Sequence, residues 1–164
     1  MPKIISFNLS TAAIMQEIYA ISALRSMKNN VNTPPILTRD QQGALRKLIK
    51  DAFAFIVMKF ISHVEGCNLN NENENGVVDD SDSEDMILSV DVRLCDDITN
   101  SITGVMRIIL EHSIAAYALH ICYIGHDDYS SKHYGEIAQA EMAQFKQLLV
   151  ANQVNTMSIT PHYL

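Results

Sequence analysis

From Val105 to Ile124 the chain is apolar at almost every position, interrupted by Arg107, Glu111, His112, Ser113 and His120. A helix apolar on nearly all sides must be covered on nearly all sides. The stretch Ile98–Gly125 is therefore predicted to be the central rod of a bundle, about 40 Å long. A membrane span of ~20 apolar residues is the competing reading. Two charges and two histidines inside the window count against it, because ionisable groups at bilayer depth are costly. No membrane contact is expected.

The flanking patterns supply the rod's cover. Ile4, Ile5 and Phe7 form a short β-compatible run within an extended arm, residues 1–8. Ser10 or Thr11 can cap a first helix reaching to about Asn29, whose apolar stripe is Ile14, Ile18 and Ile21 with Met15, Leu24 and Met27 alongside. Thr33-Pro34-Pro35 breaks it. Thr38-Arg-Asp-Gln41 has the form of a capping box, in which the Thr hydroxyl accepts from the backbone three residues on. It predicts a second helix running to about Glu65 and stopping at Gly66. Its stripe is Leu45, Leu48, Ile49, Ala52, Phe53, Ile56, Phe60 and Val64, with Arg39, Arg46, Lys47, Lys50 and Lys59 mainly on other faces.

Met86 to Arg93 alternates, with Met86, Leu88, Val90 and Val92 on one side. That is strand periodicity. A lone strand leaves backbone groups unpaired, so residues 3–7, residues 154–160 or another chain must pair with it. Asp96 or Asp97 caps the rod. A last helix over roughly 130–151, capped by Ser130 or an Asp, buries Tyr134, Ile137, Ala138, Met142, Phe145, Leu148 and Leu149. Asn152 to Leu164 reads as a second extended arm. The fold expected is mainly α: one four-helix bundle-like domain over 1–164, with one short β-strand or β-ribbon and extended N- and C-terminal arms.

Charge changes this picture in one place. The 164 residues carry a formal net charge of −7, yet eight acids fall between Glu65 and Asp85, where no Lys or Arg occurs. Outside that window 11 acids face 12 bases, so the body is nearly neutral. Residues 67–85 form a low-complexity acidic insertion too poor in apolar side chains to offset the entropy of ordering, and they are expected to be mobile. Asp80-x-Asp82-x-Glu84 imitates the start of an EF-hand loop. Asp85 replaces the Gly of position six and Asp91 the Glu of position twelve, so a solvated insertion is expected instead. Without a dominant basic footprint, no specific nucleic-acid binding is expected. Three cysteines, Cys67, Cys95 and Cys122, form no C-x-x-C pair and point to a reducing compartment. MPKIISFNLS lacks the long apolar run of a signal peptide.

Candidate chemistry is sparse. His112 and His120 lie two turns apart and about 80° around the axis, too far to share a metal. His126, Asp127, Asp128 and His133 gather at the final turn, in a spacing that matches no zinc pattern. They are read as capping and polar turn groups, with no metal or cofactor expected. Arg107 and Glu111, at i and i+4, are read as a structural ion pair. No G-x-S-x-G, G-x-x-x-x-G-K-[ST] or G-x-G-x-x-G occurs, and an enzyme is not expected. The α-helical cations Arg46, Lys47 and Lys50 can form a solvated face or a contact for an acidic partner, such as the acidic insertion of a neighbouring subunit.

The order of parts resembles a known group. ISALRS at Ile21–Ser26 is followed by LTRDQQGALRKLIKDAFAFI at Leu37–Ile56, a polar insertion and a strand. Then come ALHICYIG at Ala118–Gly125, HYGEIAQAEMAQFKQLL at His133–Leu149 and a tail in ITPHYL. This resembles the small helical virion structural proteins, head–tail connector or neck components, of Bacteroidales tailed phages and prophages. The resemblance implies a non-enzymatic ring subunit, made in the bacterial cytoplasm and located in the virion. Its partners would be copies of itself and portal or other neck and tail proteins. The expected interface residues are Arg46, Lys47, Lys50, Asp79, Asp80, Asp82, Met86, Leu88, Val90, Pro161 and Tyr163. The alternative is a small helical adaptor that binds a host protein through its acidic loop.

Overall fold

Phe145 marks the junction of the two layers: its ring meets Phe7 of a three-stranded sheet edge-on at 6.2 Å and Phe60 at 4.8 Å. The structure, a computed structural model, describes residues 3–29, 32–68, 86–94 and 100–154. In chain order the elements are β1 (Lys3–Ser10), α1 (Thr11–Asn29), α2 (Gln42–Met58), β2 (Val64–Asn68), β3 (Ile87–Leu94), α3 (Asn100–Tyr123) and α4 (Asp128–Val154). Among the described residues the fold is mainly α, with four α-helices and one small antiparallel sheet.

β3 is the middle strand, in the order β1-β3-β2. Its alternation sends Leu88, Val90, Val92 and Leu94 into the core, all 3% exposed or less. The mate is the segment that the pattern offered first: β1 pairs along its whole length, from Lys3 opposite Leu94 to Ser10 opposite Ile87. The N-terminal arm is thus an edge strand. The opposite face of the sheet is mixed: the Ser6 hydroxyl donates to Asp91 at 2.5 Å and Arg93 pairs with Glu65, beside the exposed Ile4 and Ile87.

The second helix departs from expectation at both ends. Thr38 does not cap it; its hydroxyl donates to the Pro35 carbonyl at 2.7 Å, closing a tight turn that Pro34-Pro35 begins. Gln41 stands at the N-cap without a side-chain bond. At its far end the helix stops at Met58 rather than near Glu65, and Val64–Asn68 becomes β2, paired with β3 through a bulge at Glu65. Pairing satisfies the second row of β3 backbone groups, which a longer helix would leave open. Consequently Cys67 and Asn68 belong to the sheet, and the rest of the acidic insertion lies outside the described residues. So do Asp96 and Asp97, offered as caps for α3, and the C-terminal arm beyond Val154.

α3 is the expected rod. Met106, Leu110, Ile114, Ala115, Ala118, Leu119, Cys122 and Tyr123 are buried against the other elements. Ile102–Tyr123 is long and apolar enough to cross a membrane, but 56% of its apolar window is buried inside the fold, as in a core helix. The cover is incomplete near its start, where Val105 and Ile108 are half exposed. Arg107 pairs with Glu111 at 3.6 Å on the surface. α3 ends at Gly125, whose φ of 77° is a left-handed turn conformation natural to glycine. α1 is capped by Ser10, whose hydroxyl accepts from Ala13 N at 3.1 Å.

Candidate functional site

At the α3–α4 turn, the backbone N–H groups of His126 and Asp127 both reach the Tyr123 carbonyl at 3.0 Å. Asp127 then caps α4: it accepts from the Ser130 hydroxyl, and its carbonyl accepts from Ser131 N at 2.9 Å. Arg25 of α1 joins the cap, donating from Nε to the Ser130 hydroxyl at 2.8 Å and lying 3.6 Å from the Asp127 carboxylate. The Ser130 hydrogen bond, with Arg25 assisting, holds the Asp127 carboxyl below the usual carboxylate range. A buried contact of 3.2 Å between the Ser22 and Tyr123 hydroxyls fixes α1 to the same end. His133 packs against Tyr129 and Tyr134. Among the described residues, no three His, Cys, Asp or Glu side chains gather where they could hold a metal ion.

Large apolar side chains meet solvent at this end, beside the exposed polar groups Lys28, His126 and Asp128. Leu24 and Met27 of α1 are 59% and 82% exposed, and Ile124 and Tyr129 beside the turn 57% and 72%. The Arg25 guanidinium stands 5.3 Å from the centre of the Tyr129 ring. Tyr129 and Arg25, which touch, and the exposed Met27 are residue types enriched at protein contacts.

Two grooves run along the bundle. The smaller, about 420 Å³, lies between α1 and α4, with Glu17, His112 and Glu141 among its lining residues. His112 Nε2 is 3.5 Å from Glu17. Burial raises the pKa of Glu17; His112 opposes the shift, and Glu111 and Glu141 add to it. The larger cleft, about 720 Å³, lies between α2 and α4 over α3. Phe55 and Tyr117 stack in its wall at 4.2 Å, nearly parallel, and Lys59 sits 4.3 Å over the Phe55 ring. His120 Nδ1 is 2.8 Å from the Ser131 carbonyl. A carbonyl accepts only, so Nδ1 carries the proton. The ring fits because position 135 is glycine: a Cβ there would lie 3.1 Å from Nδ1.

The residues expected at interfaces do not form one patch. Arg46 is half-buried, and it and Arg39 oppose the burial that raises the Tyr19 phenol pKa. The Tyr19 hydroxyl is buried without a hydrogen-bond partner among the described residues. Lys47 is exposed and Lys50 half-buried. Lys59 lines the α2–α4 cleft instead. Leu88 and Val90 are fully buried, so the apolar face of β3 is covered by its own chain and not by a neighbour. Met86 exchanges hydrogen bonds with Thr11. Asp79, Asp80, Asp82, Pro161 and Tyr163 lie outside the described residues. Sequence reasoning missed Lys132, Lys146 and the Phe55–Tyr117 stack. The available signal was a stripe of Lys132, Gly135, Gln139, Ala143 and Lys146, in which small or polar residues repeat at helical spacing.

No protein-family model matches the chain, and neither the curated proteins nor the solved structures contain a match to it.

Proposed function

We propose that this chain is a non-catalytic structural protein that works by contact with other proteins, as a self-assembling subunit of the head–tail connector or neck of a bacteriophage virion. The observation that carries the assembly reading is the bundle end formed by Leu24, Met27, Ile124 and Tyr129 around Arg25. Leaving four large apolar side chains in water forgoes about 1.5–3 kcal/mol for each that could be fully buried. A contact that covers them recovers part of that. The virion role is supported by the resemblance of the segment order, and by the suitability of a bundle with a sheet at one end as a rigid ring unit. Rings repeat one heterologous contact around an axis, and the exposed apolar side chains at the α3–α4 turn offer one side of such a contact.

Light scattering of the purified chain, with electron microscopy of the same sample, tests this. Rings or other closed oligomers that dissociate when Met27 and Tyr129 are changed to Asp would bear the reading out. A chain that stays monomeric at every concentration and captures one soluble protein would replace it with the adaptor.

A further inference from the structure

We propose that the cleft between α2 and α4 receives the acidic run Asp79–Asp85 of a second copy of this chain; the inference rests on the self-assembly reading above. Three lysines mark the cleft: Lys59 at the C-terminal cap of α2, and Lys132 and Lys146 from α4. Lys132 and Lys146 are fourteen residues apart, which places them about 40° apart around α4 and ~21 Å along it. Glu136 is the acidic side chain in the lining, 4.0 Å from Lys132. The cleft is therefore a positive row in a protein of net charge −7.

The matching element is in the same sequence. Asp79, Asp80, Asp82, Glu84 and Asp85 place five carboxylates within seven residues, with no base among them. Extended, such a run covers about 20 Å, the length of the lysine row. The volume, about 720 Å³, is that of a ligand-sized site and suits a stretch of peptide. Small side chains on α4 keep it open, Gly135 above all, where even a methyl group would press on His120.

A second copy is the source because of where the run joins the body. Asp85 precedes Met86, which is held to Thr11 at the start of α1 by two hydrogen bonds of 3.0 and 3.1 Å. No α1 residue lines the cleft. Met86, which follows the run, is thus anchored beside α1, whereas the cleft is lined from the α2, α3 and α4 side of the bundle. A neighbour brings one to the other, and each copy offers both halves of the contact, as an extended assembly requires.

Charge reversal in two full-length chains tests it. One carries Lys132→Glu and Lys146→Glu, the other Asp79→Lys, Asp80→Lys and Asp82→Lys. These lysines and aspartates are surface or insertion positions, and circular dichroism melts check that each chain folds. Each variant alone is expected to show a dissociation constant for self-association about tenfold or more above the unchanged chain. The two mixed are expected to associate again. Carbodiimide cross-linking of a mixture of light and heavy isotope-labelled chains should join the acidic run to Lys59, Lys132 or Lys146 between labels. Unchanged assembly of both variants overturns this contact and leaves the self-assembly reading standing. Cross-links confined to single chains also overturn it, by making the occupant the chain's own segment. A monomer at all concentrations overturns both.

Discussion

Replacing Phe145 with Ala removes the side chain on which sheet and helices converge. It is 0% exposed and touches Phe7 from β1 and Phe60 from the turn after α2. Transfer of a buried aromatic ring is worth about 1.5–3 kcal/mol, and each ring pair adds ~0.5–1.5 kcal/mol. The hole left between three elements cannot fully collapse, so the total should fall within the ~3–5 kcal/mol typical of Phe→Ala in a core. For a chain of this size each kcal/mol lowers Tm by about 2–4 °C, so a drop of about 6–20 °C is expected. Differential scanning calorimetry and urea titration give the number, with Phe55→Ala as a partly exposed comparison that should cost less. A Phe145→Ala chain melting within about 2 °C of the unchanged protein would refute the packing described.

Three further outcomes follow from individual groups. Asp127→Ala removes the α4 cap and should cost about 1 kcal/mol at neutral pH. Because the folded carboxyl titrates below its unfolded value, its contribution is present above the ordinary carboxylate pKa and lost as pH falls through the folded one. The two chains' urea midpoints should therefore converge in acid. Glu17 behaves oppositely: its folded pKa is raised, so its contribution is present below the ordinary carboxylate value and lost as pH rises through the folded one. Glu17→Gln should then stabilise the protein at neutral pH relative to the unchanged chain, and less so in acid, as paired thermal melts would record. Finally, burial pushes the Cys122 thiol up to about 12, while Cys67 is exposed. Peptide mass spectrometry after brief maleimide treatment should find Cys67 modified in the native protein and Cys122 only in denaturant.

The parts of the fold that were legible are those written in one window of sequence. The apolar run of α3, the stripes of α1 and α4 and the alternation of β3 each declare their period locally. The end of α2 did not, because Phe60 and Val64 continue a helical spacing, and only the pairing of Val64–Asn68 with Val92–Ser89 shows that Phe60 lies in a turn and Val64 opens a strand. Thr38 misled for a related reason: a hydroxyl can accept from a backbone N–H ahead of it or donate to a carbonyl behind it, and the Pro34-Pro35 turn supplies the carbonyl. The grooves were illegible in principle. Phe55, Tyr117 and Lys146 come from three helices, and no single stretch contains their convergence. The cations around α2 looked like one cluster because they are close in number, but Arg39 and Arg46 act on Tyr19 of α1, whereas Lys59 lines the α2–α4 cleft.

Whether this protein is a building block is tested most directly by its mass in solution, measured by light scattering over a concentration series. A building block gives a species several times the 18.3 kDa of one chain, reduced in size when Met27 and Tyr129 are made acidic. An 18.3 kDa particle at every concentration would contradict it.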